Sequence, residues 1–274
     1  MNVAVLNVVT SRGVIAGGPV AKDNNKEIIN GLLAKHKEVN VKTLYSQVRN
    51  LHDTLAYKEA FQRNNFTYEE HLNFIIDLRK TEDVLWKKIY SKRRNEIRRA
   101  LNEGCTIHLE TSLDSLKSAY AILKEVYQRA RLPLPGFEHF SALHEQTSET
   151  AGLRLFTAKW EGKIIGCMLC LAHNGTLYDY YAGAYSKFYN KYPNDLLPWE
   201  IMKWAKNNGF TQFDFGGAGK PDVHYGVREY KKKFGGQLVN YGRYERIELP
   251  VLYTVASVGF RLIRALGNVS FTVN

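Results

Sequence analysis

The sequence is poor in the residues that mark specialised classes of protein. Cysteine is scarce, at 3 in 274 residues, and an odd, sparse set excludes the disulfide framework of a small secreted domain. Proline, at 7, is too rare for a collagen or an extended linker. The apolar stretch from Pro250 to Phe260 stops at Arg261, well short of the roughly 20 residues that span a bilayer. The opening residues MNVAVLNVVTSRG have no basic leader and no small-residue cleavage site, so they read as structure, and a cytoplasmic location is expected. The 8 histidines form no H-E-x-x-H and no ligand set with the cysteines, so no metal is expected. Also missing are the P-loop, the Rossmann glycine fingerprint and the G-x-S-x-G elbow of hydrolases.

What is present is the composition of a packed protein, 45% hydrophobic and 12% aromatic, long enough for one large domain or two small ones. Lys and Arg number 38 against 27 Asp and Glu, a formal charge of +11. That excess favours an anionic partner, whether RNA, a nucleotide or an acidic membrane surface.

The residue pattern predicts a mixed α/β chain in which one order of elements recurs. A strand over Val3 to Val9, a turn at Ser11-Arg12-Gly13, a strand broken at Gly17-Gly18, a helix from Asn24 to Lys37 and a strand over Val41 to Val48 make the first set. In the second set LRLFTAKW, IIGCMLCLA and TLYDYYAGAY are hairpin-linked strands, since Glu161-Gly162 and Asn174-Gly175 are turn pairs. A helix from Leu196 to Asn207, stopped by Gly209, and the strand TQFDFGG follow. Between the sets, helices are expected over Tyr68 to Arg79, Glu82 to Glu103 and Leu113 to Arg131. Cys167 and Cys170 form a C-x-x-C, but on a strand residues three apart face opposite ways, so they are read as buried thiols rather than as a ligand pair.

Four stretches could carry chemistry or binding. In LWKKIYSKRRNEIRRAL, Trp86, Ile89, Tyr90, Ile97, Ala100 and Leu101 fall on one side of a single helix and Arg93 falls among them. An arginine turned toward packed residues must be paired or face a cleft. In GVREYKKKFGG, Val227, Tyr230 and Phe234 share a helical face with Lys231, while Lys232 and Lys233 point away. Lys231 is therefore the lysine placed to reach inward, where an ammonium could stabilise an oxyanion or a phosphate. The alternative is a surface turn with its stem along the core. The strand end FDFGGAGKP sets Asp214 beside a glycine bend, a usual place for ligands in α/β folds, though Asp214 could equally pair with a helix N-terminus. In LYTVASVGFRLIRAL, Leu252, Val255, Val258, Leu262 and Leu266 recur at helical spacing, with core packing the default and a lipid-binding surface the lesser alternative.

Taken together, IAGGPV, SKRRNEIRRALNEG, PNDLLPWEIMKWAKNNGFTQFDFGG and GVREYKKKFGGQLVNYGRYE resemble the FemAB family of acyltransferases. The resemblance runs from about Gly13 to Glu248. It implies two GNAT-like units, an α/β (α+β) architecture with a partial N-terminal unit, residues 1–100 including the basic helix, and a complete C-terminal unit, residues 101–249. Residues 250–274 would form a helix that returns to the first unit. The implied activity is aminoacyl transfer from aminoacyl-tRNA to an amine of a nucleotide- or lipid-linked cell-wall precursor, without a cofactor, and with possible peripheral contact at the inner face of the membrane. In the family a lysine after an aromatic takes part in transfer, a pattern that falls on Tyr230 and Lys231. Phosphates of the acceptor would meet candidates among Arg93, Arg94, Arg98, Arg129 and Arg131, with Tyr180, Tyr181 and Asn194 near a strand–helix junction. Two further readings stay open: acyl-CoA-dependent transfer to an amino sugar, and a non-catalytic protein that binds RNA or lipid. The sequence departs from the family in a short N-terminal unit and in lacking a heptad-repeat arm. No pyrophosphate loop of the acetyl-CoA type follows Tyr185.

Overall fold

The computed structural model describes residues 11–39 and 43–265, with side chains to residue 259. The elements in chain order are β1 Arg12–Ala16, α1 Lys26–Val39, β2 Tyr45–Arg49, α2 Lys58–Arg63, β3 Thr67–Glu69, β4 Leu72–Asp77, α3 Glu82–Lys88, α4 Ser91–Asn102, β5 Thr106–Glu110 and α5 Leu113–Ala130. They continue as α6 Phe137–Glu145, β6 Gly152–Trp160, β7 Lys163–His173, β8 Thr176–Ala184, α7 Pro193–Asn207, β9 Gln212–Gly217, α8 Gly226–Lys232, β10 Gln237–Asn240, β11 Arg243–Ile247 and α9 Pro250–Ala265. The chain divides into two compact units, each described by itself.

The first unit takes residues 11–39, 43–72, 219–224 and 239–265. Its four-stranded sheet has the order β1-β2-β11-β3, with β1 parallel to β2 and β11 antiparallel to both of its neighbours. Spacing explains α1: Ile29 and Leu33, one turn apart, are buried, while Ile28 and Leu32 face outward. They close on Val48, Phe61, Phe66 and Tyr244, and the rings of Phe61 and Tyr244 stack at 3.7 Å. In α9, the Tyr253 ring meets Tyr45 edge-on.

The second unit takes residues 73–218 and 225–238. Its seven-stranded sheet runs β10-β4-β9-β8-β7-β6-β5. The β5–β6, β6–β7, β7–β8 and β4–β9 pairs are antiparallel, and β8–β9 is parallel. Strand alternation sends side chains to helices on both faces. Leu155 joins Leu116, Ile122 and Phe140 of α5 and α6, while its neighbour Phe156 meets Trp204 of α7. The same rule separates the thiols: Cys167 lies in the α5 cluster with its Sγ toward the Ala119 carbonyl, and Cys170, buried too, lies outside that cluster. Both hairpin turns form at the expected pairs, with Glu161, Gly162, Asn174 and Gly175 all at positive φ.

Several expectations are corrected. The helix expected over Tyr68 to Arg79 is instead β3 and β4. The run Phe74-Ile75-Ile76 suits a strand with both faces buried, and pairing with β9 decides it. The helix expected over Glu82 to Glu103 is broken: Ile89 and Tyr90 are extended, and the Tyr90 N–H donates to the Lys233 carbonyl. That break leaves Ile89, Ile97 and Ala100 buried but Tyr90 and Leu101 exposed. Strand β5 and helix α6 were not foreseen. In α9, Val255 and Val258 are exposed rather than packed. The boundary drawn at residue 100 falls at 72–73, because α4 packs on α7 within the second unit, and β11 belongs to the first. The strand expected over Val3 to Val9 and the side chains of Leu262 and Leu266 lie outside the described residues.

Candidate active site

The chemistry-bearing side chains gather in the second unit, where two neighbouring strands separate. Strands β8 and β9 pair in parallel through Thr176↔Gln212, Leu177↔Phe213 and Tyr178↔Asp214. Beyond that last pair β8 continues to Ala184 and β9 to Gly217. Gly216, at φ +70°, turns β9 here. A Cβ on it would stand 3.1 Å from the Tyr178 hydroxyl and 3.3 Å from the Asp179 carbonyl oxygen, in a backbone conformation that side chains disfavour.

Lys231 enters from α8. It is 8% exposed, and its Nζ donates to the Phe215 carbonyl and, at 2.9 Å, to the Gly217 carbonyl. An ammonium has three N–H donors, so one remains beyond those two bonds. Burial lowers the Lys231 pKa, while Asp179 and Asp214 raise it. The helix stops in a way that holds this placement. Gly235 and Gly236 both have positive φ, and a Cβ on Gly236 would lie 2.9 Å from the Ile75 carbonyl oxygen, so the turn lies flat against β4. Lys232 is exposed, as the helical spacing predicts, but Val227, expected on the inner face, is exposed as well.

Tyr230 stands beside Lys231 with its ring against Phe234, and its hydroxyl donates to the Asn194 carbonyl at 2.5 Å. Burial, and then Asp195, push its phenol well above the ordinary range. The Arg93 guanidinium lies over the same ring at 5.1 Å. It is paired with Asp195 of α7 and, at 3.2 Å, with Glu96. Arg93 is thus the half-buried, paired arginine anticipated from its place in the apolar stripe.

Three carboxyls of this region are pushed up to about 6, each chiefly by burial: Asp179, Asp195 and Asp214. Asp214, 1% exposed, accepts from the Gly216 N–H at 2.6 Å and from Asn73 at 3.5 Å. Asp195 is held by Arg93. Asp179 and Asp195 were not singled out from the sequence. Asp179 carried one signal, as the lone acid in the otherwise apolar and aromatic strand TLYDYYAGA.

The remaining candidates lie elsewhere in the unit. Arg94 donates to the Trp86 and Lys87 carbonyls, and Arg98 lies over the Trp86 ring and donates to Asn95. Arg129 pairs with Glu125 and with the hydroxyl of Tyr189. Arg131 is exposed in the left-handed residue that ends α5. Tyr180 bonds His139 at 2.8 Å, and Tyr181 packs on Tyr127 and Phe140. Lys231, Tyr230, Arg93, Asn194 and Asp214 therefore form one connected neighbourhood with Asp179 and Asp195, which the other arginines do not join through the contacts described. Among the described residues no group of His, Cys, Asp and Glu could hold a metal ion.

Residues 89–232 match the family model described as an acetyltransferase (GNAT) domain. The chain is 22% identical to the lipid II:glycine glycyltransferase of Staphylococcus epidermidis, over 92% of its own length and 80% of that protein. That alignment spans 339 positions, more than the 274 residues here, so the relative carries segments this chain lacks. The UDP-N-acetylmuramoylpentapeptide-lysine N(6)-alanyltransferase of Weissella viridescens is 25% identical over 55% of this chain and 45% of that protein. The crystal structure of FemX superposes with a TM-score of 0.67 at 19% identity, covering 88% of this chain and 82% of that one. The matched model, which spans more than half the chain and includes both Arg93 and Lys231, places the protein in the acetyltransferase (GNAT) domain family, and its likeness to these transferases and to FemX makes it an acyltransferase of the FemAB type.

Proposed function

We propose that the protein forms peptidoglycan bridges by moving an aminoacyl group from a tRNA ester to an amine of a nucleotide- or lipid-linked precursor. The observation that carries this reading is the buried Lys231 ammonium, held by two carbonyl oxygens with a third donor left over. An ester is already activated, so holding the reactants and stabilising the developing oxyanion supply most of what the reaction needs. Lys231 supplies the positive charge at the carbonyl oxygen. Tyr230, fixed by Asn194 and by Arg93, sets the position of the helix that carries Lys231. The relatives' names support the substrate class, one acting on lipid II and one on a lysine of a UDP-linked pentapeptide. No described helix is long and apolar enough to cross a membrane, and the exposed Val251, Val255 and Val258 on α9 support peripheral contact with the bilayer that holds a lipid-linked acceptor.

The test offers the purified protein a lipid-linked or UDP-linked pentapeptide together with charged tRNA or, separately, an acyl-CoA. Consumption of charged tRNA with formation of a new amide is expected. Consumption of acyl-CoA alone would replace the donor in this reading.

A further inference from the structure

The strand split holds one acid that nothing above has given a task. Asp214 is engaged by Gly216 and Asn73, and Asp195 by Arg93. Asp179 is the first residue of β8 past the last pair with β9, and among the described residues no donor hydrogen-bonds its carboxylate. Its placement is set by a bulge. In the β7–β8 ladder Cys170 faces Asp179 and Leu169 faces Tyr181, which leaves Tyr180 as an extra residue on β8. Such a bulge bends a strand and re-aims the side chains beside it. Asp179 keeps partial solvent access, unlike Asp214, which is sealed at 1% exposure. It is close enough to the Lys231 ammonium for each to act on the charge of the other.

We propose that Asp179 is the proton acceptor for the amine that attacks the donor ester, working opposite the Lys231 ammonium across the split. The inference rests on the aminoacyl-transfer reading given above. The amine lone pair forms the new C–N bond while the carbonyl π pair moves onto oxygen, beside the ammonium. The nitrogen, now cationic, passes one proton to the Asp179 carboxylate. The pair on oxygen restores the carbonyl as the ester C–O bond breaks, and the departing alkoxide takes the proton from Asp179. The products are an amide and an alcohol, the protein is unchanged, and no further reactant is needed.

Proximity to Lys231 also explains how one site can hold a base and a cation without either neutralising the other. The ammonium is committed to the Phe215 and Gly217 carbonyls, and Asp179 has no hydrogen bond to it. Lys231 on α8 and Asp214 on β9 act on Asp179, and Asp179 in turn acts on Tyr230 of α8, Cys170 of β7 and Tyr127 of α5. Lys231 alone among them is cationic. Burial and Asp214 push the Asp179 carboxyl up to about 6 against the pull of Lys231, which suits a base that must take up and release a proton near neutrality.

The test compares wild type with Asp179→Asn and Asp179→Glu in the charged-tRNA assay between pH 5 and 8, with thermal melting as a control. Asp179→Asn is expected to lose about a hundredfold in turnover, to keep its fold, and to lose the rise in rate near pH 6. Asp179→Glu should recover part of the rate along with a pH-dependent limb. An Asp179→Asn variant with wild-type turnover and an unchanged limb overturns the proposal while leaving aminoacyl transfer intact. A wild-type protein inactive with every charged tRNA overturns both.

Discussion

The Tyr230 hydroxyl donates to the carbonyl oxygen of Asn194 at 2.5 Å, tying the helix that carries Lys231 to the first turn of α7. A helix of seven residues has little stability of its own. Its position is therefore set by this bond, by the Phe234 ring and by the glycine turn that follows. Replacing Tyr230 with Phe removes the bond while keeping the edge-on ring contact with Phe234. We expect a loss of about 1 kcal/mol in stability and a larger proportional loss in turnover than in substrate affinity, read from kcat and KM separately.

Lys231→Ala should lower turnover by about a hundredfold or more while the protein still folds, as circular dichroism and melting would report. Wild-type turnover in that variant would remove the oxyanion role. Lys232→Ala, at the exposed neighbouring lysine, is the matched control and should retain activity.

Arg93 and Arg94 are adjacent, yet they should behave differently. Arg93 is paired with the buried Asp195, so Arg93→Ala leaves an acid without its cation, at a cost of about 3–5 kcal/mol. The half-buried Arg94 donates, among the described residues, to carbonyls at 3.3 and 3.5 Å, and its removal should stay within about 0.5 kcal/mol. Chemical denaturation of the two variants decides the matter, and equal losses would contradict the assigned pairing.

The pH dependence of stability has a definite sign. Burial lifts the carboxyls of Asp195 and Asp214 from 3.8 to about 6, so each holds its proton more tightly in the folded state than in the unfolded one. Their contribution is full below about pH 4 and is lost as the pH rises toward 6. Asp214→Asn, which keeps an oxygen to accept from Gly216, should flatten this decline. Urea midpoints measured at half-unit steps between pH 4 and 7 would show it.

The thiols offer a probe of the core. Burial pushes Cys167 up to about 12 and raises Cys105 and Cys170 too. Because the thiolate is the reactive form, alkylation at pH 8 should be slow in the native protein and complete on unfolding. Rapid native labelling of Cys167 would show that the sheet opens locally.

Much of the second unit was legible because its signals are local. Two positive-φ turn pairs fixed β6 to β8, and the 3.6-residue spacing of α8 singled out Lys231 among three lysines. Elements decided by distant partners were not legible. The run LNFIID fits either period, and only β9 makes it a strand. Nothing at Ile89-Tyr90 is a glycine or a proline, so the break between α3 and α4 depends on a carbonyl contributed by Lys233, more than a hundred residues away in sequence. Asp179 escaped because its importance comes from where two strands stop pairing, which periodicity does not encode.

In the first unit β11 lies between β2 and β3, although some 170 residues separate it in sequence from the nearer of them. The half of the molecule that leaves the ribosome first must therefore wait, with a gap in the middle of its sheet, until Arg243 to Ile247 have emerged. A nascent chain stalled before Arg243 would display two unpaired strand edges for chaperones to cover.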